Sequence, residues 1–155
     1  MKYGFESEMA KEFPPIVQLT ITNVCDMGCY HCPHSEYRKR PDFKPLYMDM
    51  DLYKKIAKEV GQHGDTSLRI FGWGEPLVHP QLVKMIRYAK DHNVEMTNLI
   101  TNGLKLNEEV STGLIEASLD VLEVSLDALT RETYERIRGS ARNFDRVIEN
   151  IHKYI

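Results

Sequence analysis

Apolar and polar positions change period repeatedly along the chain, each time in the same order: a short β-branched and apolar run, a polar loop, then apolar residues at helical spacing. Ile16 to Thr22 predicts the first strand, and Met50 to His63, with Leu52, Ile56, Ala57 and Val60 on one face, the first helix. Ser67 to Phe71 predicts a second strand. Pro80 to His92 predicts the helix after it, with proline at its start and Leu82, Val83, Ile86 and Ala89 at helical intervals. Glu95 to Thr101 and Asn107 to Ala117 repeat the pair. Val121 to Leu126 is the fourth strand, and Thr130 to Arg138 and Asn143 to Ile155 read as two closing helices parted near Gly139-Ser140. Asp49 or Asp51 stands where the first helix needs a cap, and Gly61 or Gly64 lies near its end.

Strands that alternate with helices in this way predict parallel strands joined by helical crossovers, an α/β fold. Residues 1–15 read as a polar lead-in that ends at Pro14-Pro15, a pair that favours an extended entry. Pro33 to Asp49 mixes prolines, charges and aromatics without a period and reads as a long connection, a kind that often carries function.

A 155-residue chain that is 42% hydrophobic can bury one moderate core, so its length argues for one domain, residues 16–155. A net charge of -3 supplies no basic field for nucleic acid or an anionic membrane surface, and Arg38-Lys39-Arg40 reads as a solvated loop. No apolar run approaches the roughly 20 residues of a membrane span. The first residues lack the apolar core of a signal peptide, so the expectation is a cytoplasmic protein. The 3 cysteines crowd into Cys25-Asp-Met-Gly-Cys29-Tyr-His-Cys32, a poor disulfide framework that fits metal or redox chemistry in a reducing compartment better.

In parallel α/β proteins ligands bind in the loops at the C-terminal ends of the strands. Here those loops hold Cys25 to Cys32, Gly72 to Glu75, Thr101-Asn102 and Ser125 to Asp127. Three thiolates leave a tetrahedral site short of one ligand. Either His31 or His34 closes a structural zinc site, or one metal position stays open for something else. Zinc suits the pattern less, because its sites favour paired ligands from separate segments and His34 would have to bend back tightly. Glu75 follows glycines that let backbone approach a ligand closely, or Gly72-Trp73-Gly74-Glu75-Pro76 is a tight turn around a packed indole. Ser125 and Asp127 alternate on one strand face and need a partner, unless Asp127 caps the helix from Thr130. Thr101 and Asn102 could reach the same ligand, though an Asn-Gly turn also explains Asn102. Tyr134, Phe144 and Ile148 read as core, and His79, His92 and His152 as surface.

The Cys-x3-Cys-x2-Cys spacing, with Gly-Trp-Gly-Glu-Pro after the second strand and Ser-Leu-Asp-Ala after the fourth, resembles the radical S-adenosylmethionine (radical SAM) enzymes, in particular members that carry a SPASM-type extension. The resemblance implies a partial, TIM-like (β/α) barrel and a 4Fe-4S cluster held by Cys25, Cys29 and Cys32, with one iron open to S-adenosylmethionine. It further implies hydrogen abstraction by a 5′-deoxyadenosyl radical, with the chemistry belonging to the cofactor and its aim to the fold. His31 would contact adenine, a mild departure from the usual aromatic residue. Gly74 and Glu75 would contact the methionine amino group, with Trp73 replacing the first glycine of the family's motif. Ser125 and Asp127 would meet the ribose or carboxylate, and Thr101 and Asn102 the same ligand. Arg138 is a candidate for the carboxylate, but an exposed cation at a helix end is the preferred reading.

The resemblance also implies a reductant such as flavodoxin or ferredoxin, and a peptide or small metabolite as substrate rather than nucleic acid. About four of the usual six strand and helix units are present, and no cysteine follows Cys32 to build auxiliary clusters. The expectation is therefore an N-terminal portion of a longer enzyme, whose open sheet edge could drive self-association. The rival readings are a non-catalytic zinc module and a cluster protein that only senses redox state.

Overall fold

The computed structural model describes residues 12–154, so residues 1–11 of the lead-in and Ile155 lie outside the described residues. Four strands form one parallel sheet in sequential order: β1 (Ile16–Leu19), β2 (Ser67–Ile70), β3 (Met96–Thr101) and β4 (Val121–Val124). The helices are α1 (His34–Tyr37), α2 (Met50–Gln62), α3 (Leu82–Asp91), α4 (Glu108–Glu116), α5 (Arg131–Arg138) and α6 (Ala141–Tyr154), with a 3-10 turn at Pro76–Val78.

Strand alternation decides which face is covered. Leu19, Leu68, Ile70 and Leu99 are buried and join Tyr53, Ala57, Val60, Met85, Ile86, Ala89 and Leu114 from the helices in one core. The other face stays open along β1 to β3, where Ile16, Phe71 and Met96 are exposed and Arg69 pairs with Glu123 at 2.9 Å. This open face is the interior of a partial barrel.

Local chemistry sets the ends of the elements. Asp49 caps α2 by accepting from the backbone N–H groups of Asp51 and Leu52; Asn107 caps α4 and Thr130 caps α5. Asp127 therefore does not serve as the cap. Gly139 ends α5 in the left-handed conformation at φ 86°.

Two segments differ from the expected layout. The connection between Pro33 and Asp49 is not structureless. It contains α1, and Tyr47 forms an antiparallel bridge with Thr22, while the Thr22 hydroxyl donates to the Leu46 carbonyl at 2.8 Å. The first strand ends at Leu19 and the fourth at Val124, short of Thr22 and Leu126, and Thr22 bridges Tyr47 instead of extending the parallel sheet. Ser125 thus lies past the strand, although its N–H still donates to the Thr101 carbonyl at 2.8 Å. Asp127 is in the left-handed region at φ 60°.

Candidate functional site

Cys25, Cys29, Cys32, His31, Gly74, Glu75, Thr101, Asn102, Ser125 and Asp127 all line one cavity of about 380 Å³ at the C-terminal ends of the strands. The volume lies in the usual range of small-molecule sites. Each sequence-predicted site residue is present, carried there by four different loops. Arg138 lines the same cavity and is 7% exposed, so it is not the exposed helix-end cation.

The cysteine loop is shaped by donors to its backbone. Arg38 Nη1 donates to the carbonyls of Cys25 at 3.2 Å and Met27 at 3.0 Å, and the Ser35 hydroxyl donates to the Cys29 carbonyl at 2.9 Å. Arg38 is exposed, as expected of this basic run, and at the same time frames the loop. His34 is buried, with Nε2 2.6 Å from the Asn23 carbonyl, which makes that nitrogen the protonated donor. It braces the loop through that nitrogen. The loop also ties to β3: Asn102 Nδ2 donates to Asp26 Oδ1 at 2.9 Å. Burial pushes the Cys25 thiol up to about 11.

Glu75 is 3% exposed and its carboxylate is occupied within the protein. Oε1 accepts from the Leu77 N–H at 2.9 Å and the Thr101 hydroxyl at 2.6 Å, and Oε2 accepts from the Asn102 N–H at 2.8 Å. Burial raises its pKa, and these three hydrogen bonds oppose the rise. Thr101 and Asn102 are likewise engaged with neighbours: Thr101 Oγ1 accepts from the Gly103 N–H at 3.0 Å and Asn102 Oδ1 from the Leu104 N–H at 2.9 Å. Glu75, Thr101, Asn102 and Asp26 form one brace across three rim loops.

The glycines of Gly72-Trp73-Gly74 answer to packing. A Cβ on Gly74 would stand 2.3 Å from the Thr22 carbonyl oxygen and 2.6 Å from that of Val24, and one on Gly72 would strike the Thr20 side chain. Their need is close approach to the chain after β1, not space for a ligand. Trp73 is 57% exposed and lies 6.0 Å from Tyr37 between ring centroids, so the turn does not bury an indole.

On the opposite wall His31 Nε2 lies 3.8 Å from Asp127 Oδ2, and Asp127 also pairs with Arg138 at 2.6 Å. Tyr134 is fully buried behind this wall, as expected, and Phe144 packs against it with half-buried exposure; burial pushes the Tyr134 hydroxyl up to about 12. His79 is buried rather than on the surface: Nε2 lies 3.0 Å from the Met48 carbonyl and Nδ1 accepts from the Gln81 N–H at 3.1 Å. His92 stacks on Tyr88 with ring centroids 3.8 Å apart.

Sequence reading missed Arg38 and Asp26. Arg38 sits in a basic run that resembles any solvated loop, and Asp26 shows nothing until the fold brings Asn102 to it. No helix of the described residues is long and apolar enough to cross a membrane.

The donor set fits an iron–sulfur cluster. Three soft thiols line one volume, and the chain has no fourth cysteine to complete them. Among the described residues no three His, Cys, Asp or Glu side chains converge closely enough to hold a single metal ion.

Comparison with known proteins leads to the same place. A family model described as the radical SAM superfamily matches residues 19–155. A probable GTP 3′,8-cyclase of Saccharolobus islandicus is 34% identical over 139 residues, covering 90% of this chain and 43% of the relative. A probable GTP 3′,8-cyclase of Methanococcus maripaludis is 36% identical over 138 residues, covering 89% and 44%. This chain therefore spans less than half the length of these relatives. In fold it is similar to Streptococcus suis SuiB bound to S-adenosylmethionine, with a TM-score of 0.73, 17% identity, and coverage of 94% of this chain and 33% of the other. The anSMEcpe protein with bound AdoMet aligns with a TM-score of 0.71 and 20% identity over 90% of this chain and 41% of the other.

Proposed function

Because the chain belongs to the radical SAM superfamily, whose cofactors are a 4Fe-4S cluster and S-adenosylmethionine, we propose that residues 16–155 form the cofactor-binding part of a radical SAM enzyme. The observation that carries this reading is the single cavity in which Cys25, Cys29 and Cys32 face Gly74, Glu75, Ser125 and Asp127. When bound, the two cofactors together supply reductive cleavage of the sulfonium and a 5′-deoxyadenosyl radical that takes a hydrogen atom from the substrate.

The chain's own residues hold and orient. Cys25, Cys29 and Cys32 bind the cluster through their sulfurs, and Arg38 and His34 hold the loop that presents them. Glu75 locks the loop after β2 to the end of β3, so the Gly74 carbonyl and the one remaining lone pair of Glu75 Oε2 are fixed in place to accept from an ammonium group. Ser125 and Asp127 offer a hydroxyl and a carboxylate to the ribose hydroxyls or the amino acid end of the ligand. His31, with a 54% exposed side chain, stands at the mouth where an adenine ring can stack.

The substrate in this reading is a small metabolite or a peptide, met on the open sheet face. GTP is the first compound to try, because the curated relatives bear the name GTP 3′,8-cyclase. A reductant such as flavodoxin or ferredoxin supplies the electron, and the exposed edges at β1 and β4 leave room for association with the remaining part of the fold or with a second copy. The test is anaerobic incubation of the reconstituted protein with dithionite and S-adenosylmethionine. Formation of 5′-deoxyadenosine that disappears in Cys29→Ala supports the proposal; cluster-loaded protein that forms none contradicts it.

A further inference from the structure

Arg138 is a buried cation whose contacts lead toward a sulfur. Its Nη2 pairs with Asp127 at 2.6 Å and donates to the Ser125 carbonyl at 2.5 Å, while Nη1 donates to Cys29 Sγ at 3.5 Å and the buried Nε has no acceptor among the described residues. The end of α5 that carries it is seated on the cysteine loop at two further points. The Tyr30 N–H donates to the Ile137 carbonyl at 3.0 Å, and a Cβ on Gly139 would stand 2.9 Å from the Gly28 carbonyl oxygen. These contacts hold the backbone that carries Arg138 against the cysteine loop.

A buried cation needs anions to offset its lost hydration. Asp127 is one, with a side chain that is 40% exposed. A neutral thiol is a weak acceptor, whereas a metal-bound thiolate is a strong one for a charged donor. We propose that Arg138 sets the reduction potential of the cluster that Cys29 helps to hold, through a charge-assisted hydrogen bond to that sulfur, with Asp127 as the opposing charge. The inference rests on the cluster reading above. An added electron makes a cluster more negative, so a fixed cation and an N–H···S bond favour the reduced state and raise the potential; a nearby carboxylate lowers it. This role differs from contact with a cofactor carboxylate, which would change cofactor affinity and leave the cofactor-free cluster unchanged.

The test is a redox titration of the reconstituted chain, followed by electron paramagnetic resonance without S-adenosylmethionine. Arg138→Gln is expected to lower the midpoint potential and Asp127→Asn to raise it. Opposite signs are the signature, because a loosened loop would admit water in both variants and move them the same way. If Arg138→Gln does not retain iron, Asp127→Asn decides alone, and a potential at or below that of the unaltered chain overturns the proposal. Potentials unchanged in both variants, with cofactor affinity reduced in Arg138→Gln, assign Arg138 to the carboxylate instead and likewise overturn it. An unaltered chain that takes up no iron overturns the cluster reading and the proposal together, and is recognised from iron content before any potential is measured.

Discussion

The Thr101 hydroxyl donates to Glu75 Oε1 at 2.6 Å, joining the end of β3 to the loop after β2 inside the protein. With the Asn102 and Leu77 N–H groups on the same carboxylate, this bond makes Glu75 a structural member of the rim before any ligand arrives. Glu75→Ala leaves buried donors without an acceptor, a loss on the order of 3 kcal/mol. Urea unfolding of the unaltered and variant chains measures it. Glu75→Gln restores only part of the loss, because its amide can turn an N–H toward one of the donors. Equal stability of Glu75→Ala and the unaltered chain would show that the brace contributes nothing.

Gly74 and Gly72 make a graded pair. Gly74→Ala pushes a Cβ into two backbone carbonyls, which cannot rotate away, whereas Gly72→Ala meets the Thr20 side chain. The first is expected to cost about 3 kcal/mol or to prevent folding, and the second about 1 kcal/mol, as overpacking in a tight site does. Thermal melts followed by circular dichroism rank the two. The reverse order would contradict the packing account of the motif.

These loops mark what could and could not be read from the chain alone. The strand and helix alternation was legible because Leu68 and Ile70 or Leu99 and Thr101 obey a period of two, and Met85, Ile86 and Ala89 a helical one. The site residues were legible as a set, because parallel strands deliver their following loops to one rim. Their individual duties were not. The partner of Glu75 lies 26 residues away in sequence, the partner of Asp26 76, and the sulfur beside Arg138 109. His79 and Arg138 were expected at the surface because a lone polar residue gives no sign of the backbone carbonyl or carboxylate that will bury it.

Tyr134 carries a buried hydroxyl that has no hydrogen-bond partner among the described residues. Tyr134→Phe removes that unpaired group and keeps the ring, so stability is expected to hold or rise slightly. Tyr134→Ala empties a fully buried ring site and should cost about 3–5 kcal/mol. Denaturant unfolding of both variants is the check, and a large loss in Tyr134→Phe would reveal a partner for the hydroxyl.

Asp120 fastens the start of β3 to α3. It accepts from the Lys90 ammonium at 2.8 Å and from the Thr97 N–H at 2.7 Å. Partial burial pushes its pKa up, but the hydrogen bonds from Lys90 and Thr97 outweigh that and hold it below the usual carboxylate value. A carboxyl depressed in the folded state stabilises above its unfolded pKa and loses that contribution as pH falls through the folded pKa. Asp120→Asn should therefore cost about 1 kcal/mol near neutral pH, after allowance for solvent screening, and much less in acid below both values. Stability curves against pH for the two proteins should converge on acidification. A constant gap across that range would contradict the ion pair.

The most direct measurement for the whole account is electron paramagnetic resonance of the anaerobically reconstituted, dithionite-reduced chain with and without S-adenosylmethionine. The account predicts a reduced 4Fe-4S signal, lost when Cys25, Cys29 or Cys32 is replaced by alanine, whose shape changes when the cofactor is added because one iron lacks a protein ligand. Zinc bound at one equivalent with no cluster, or a cluster signal that the cofactor leaves unchanged, would contradict it.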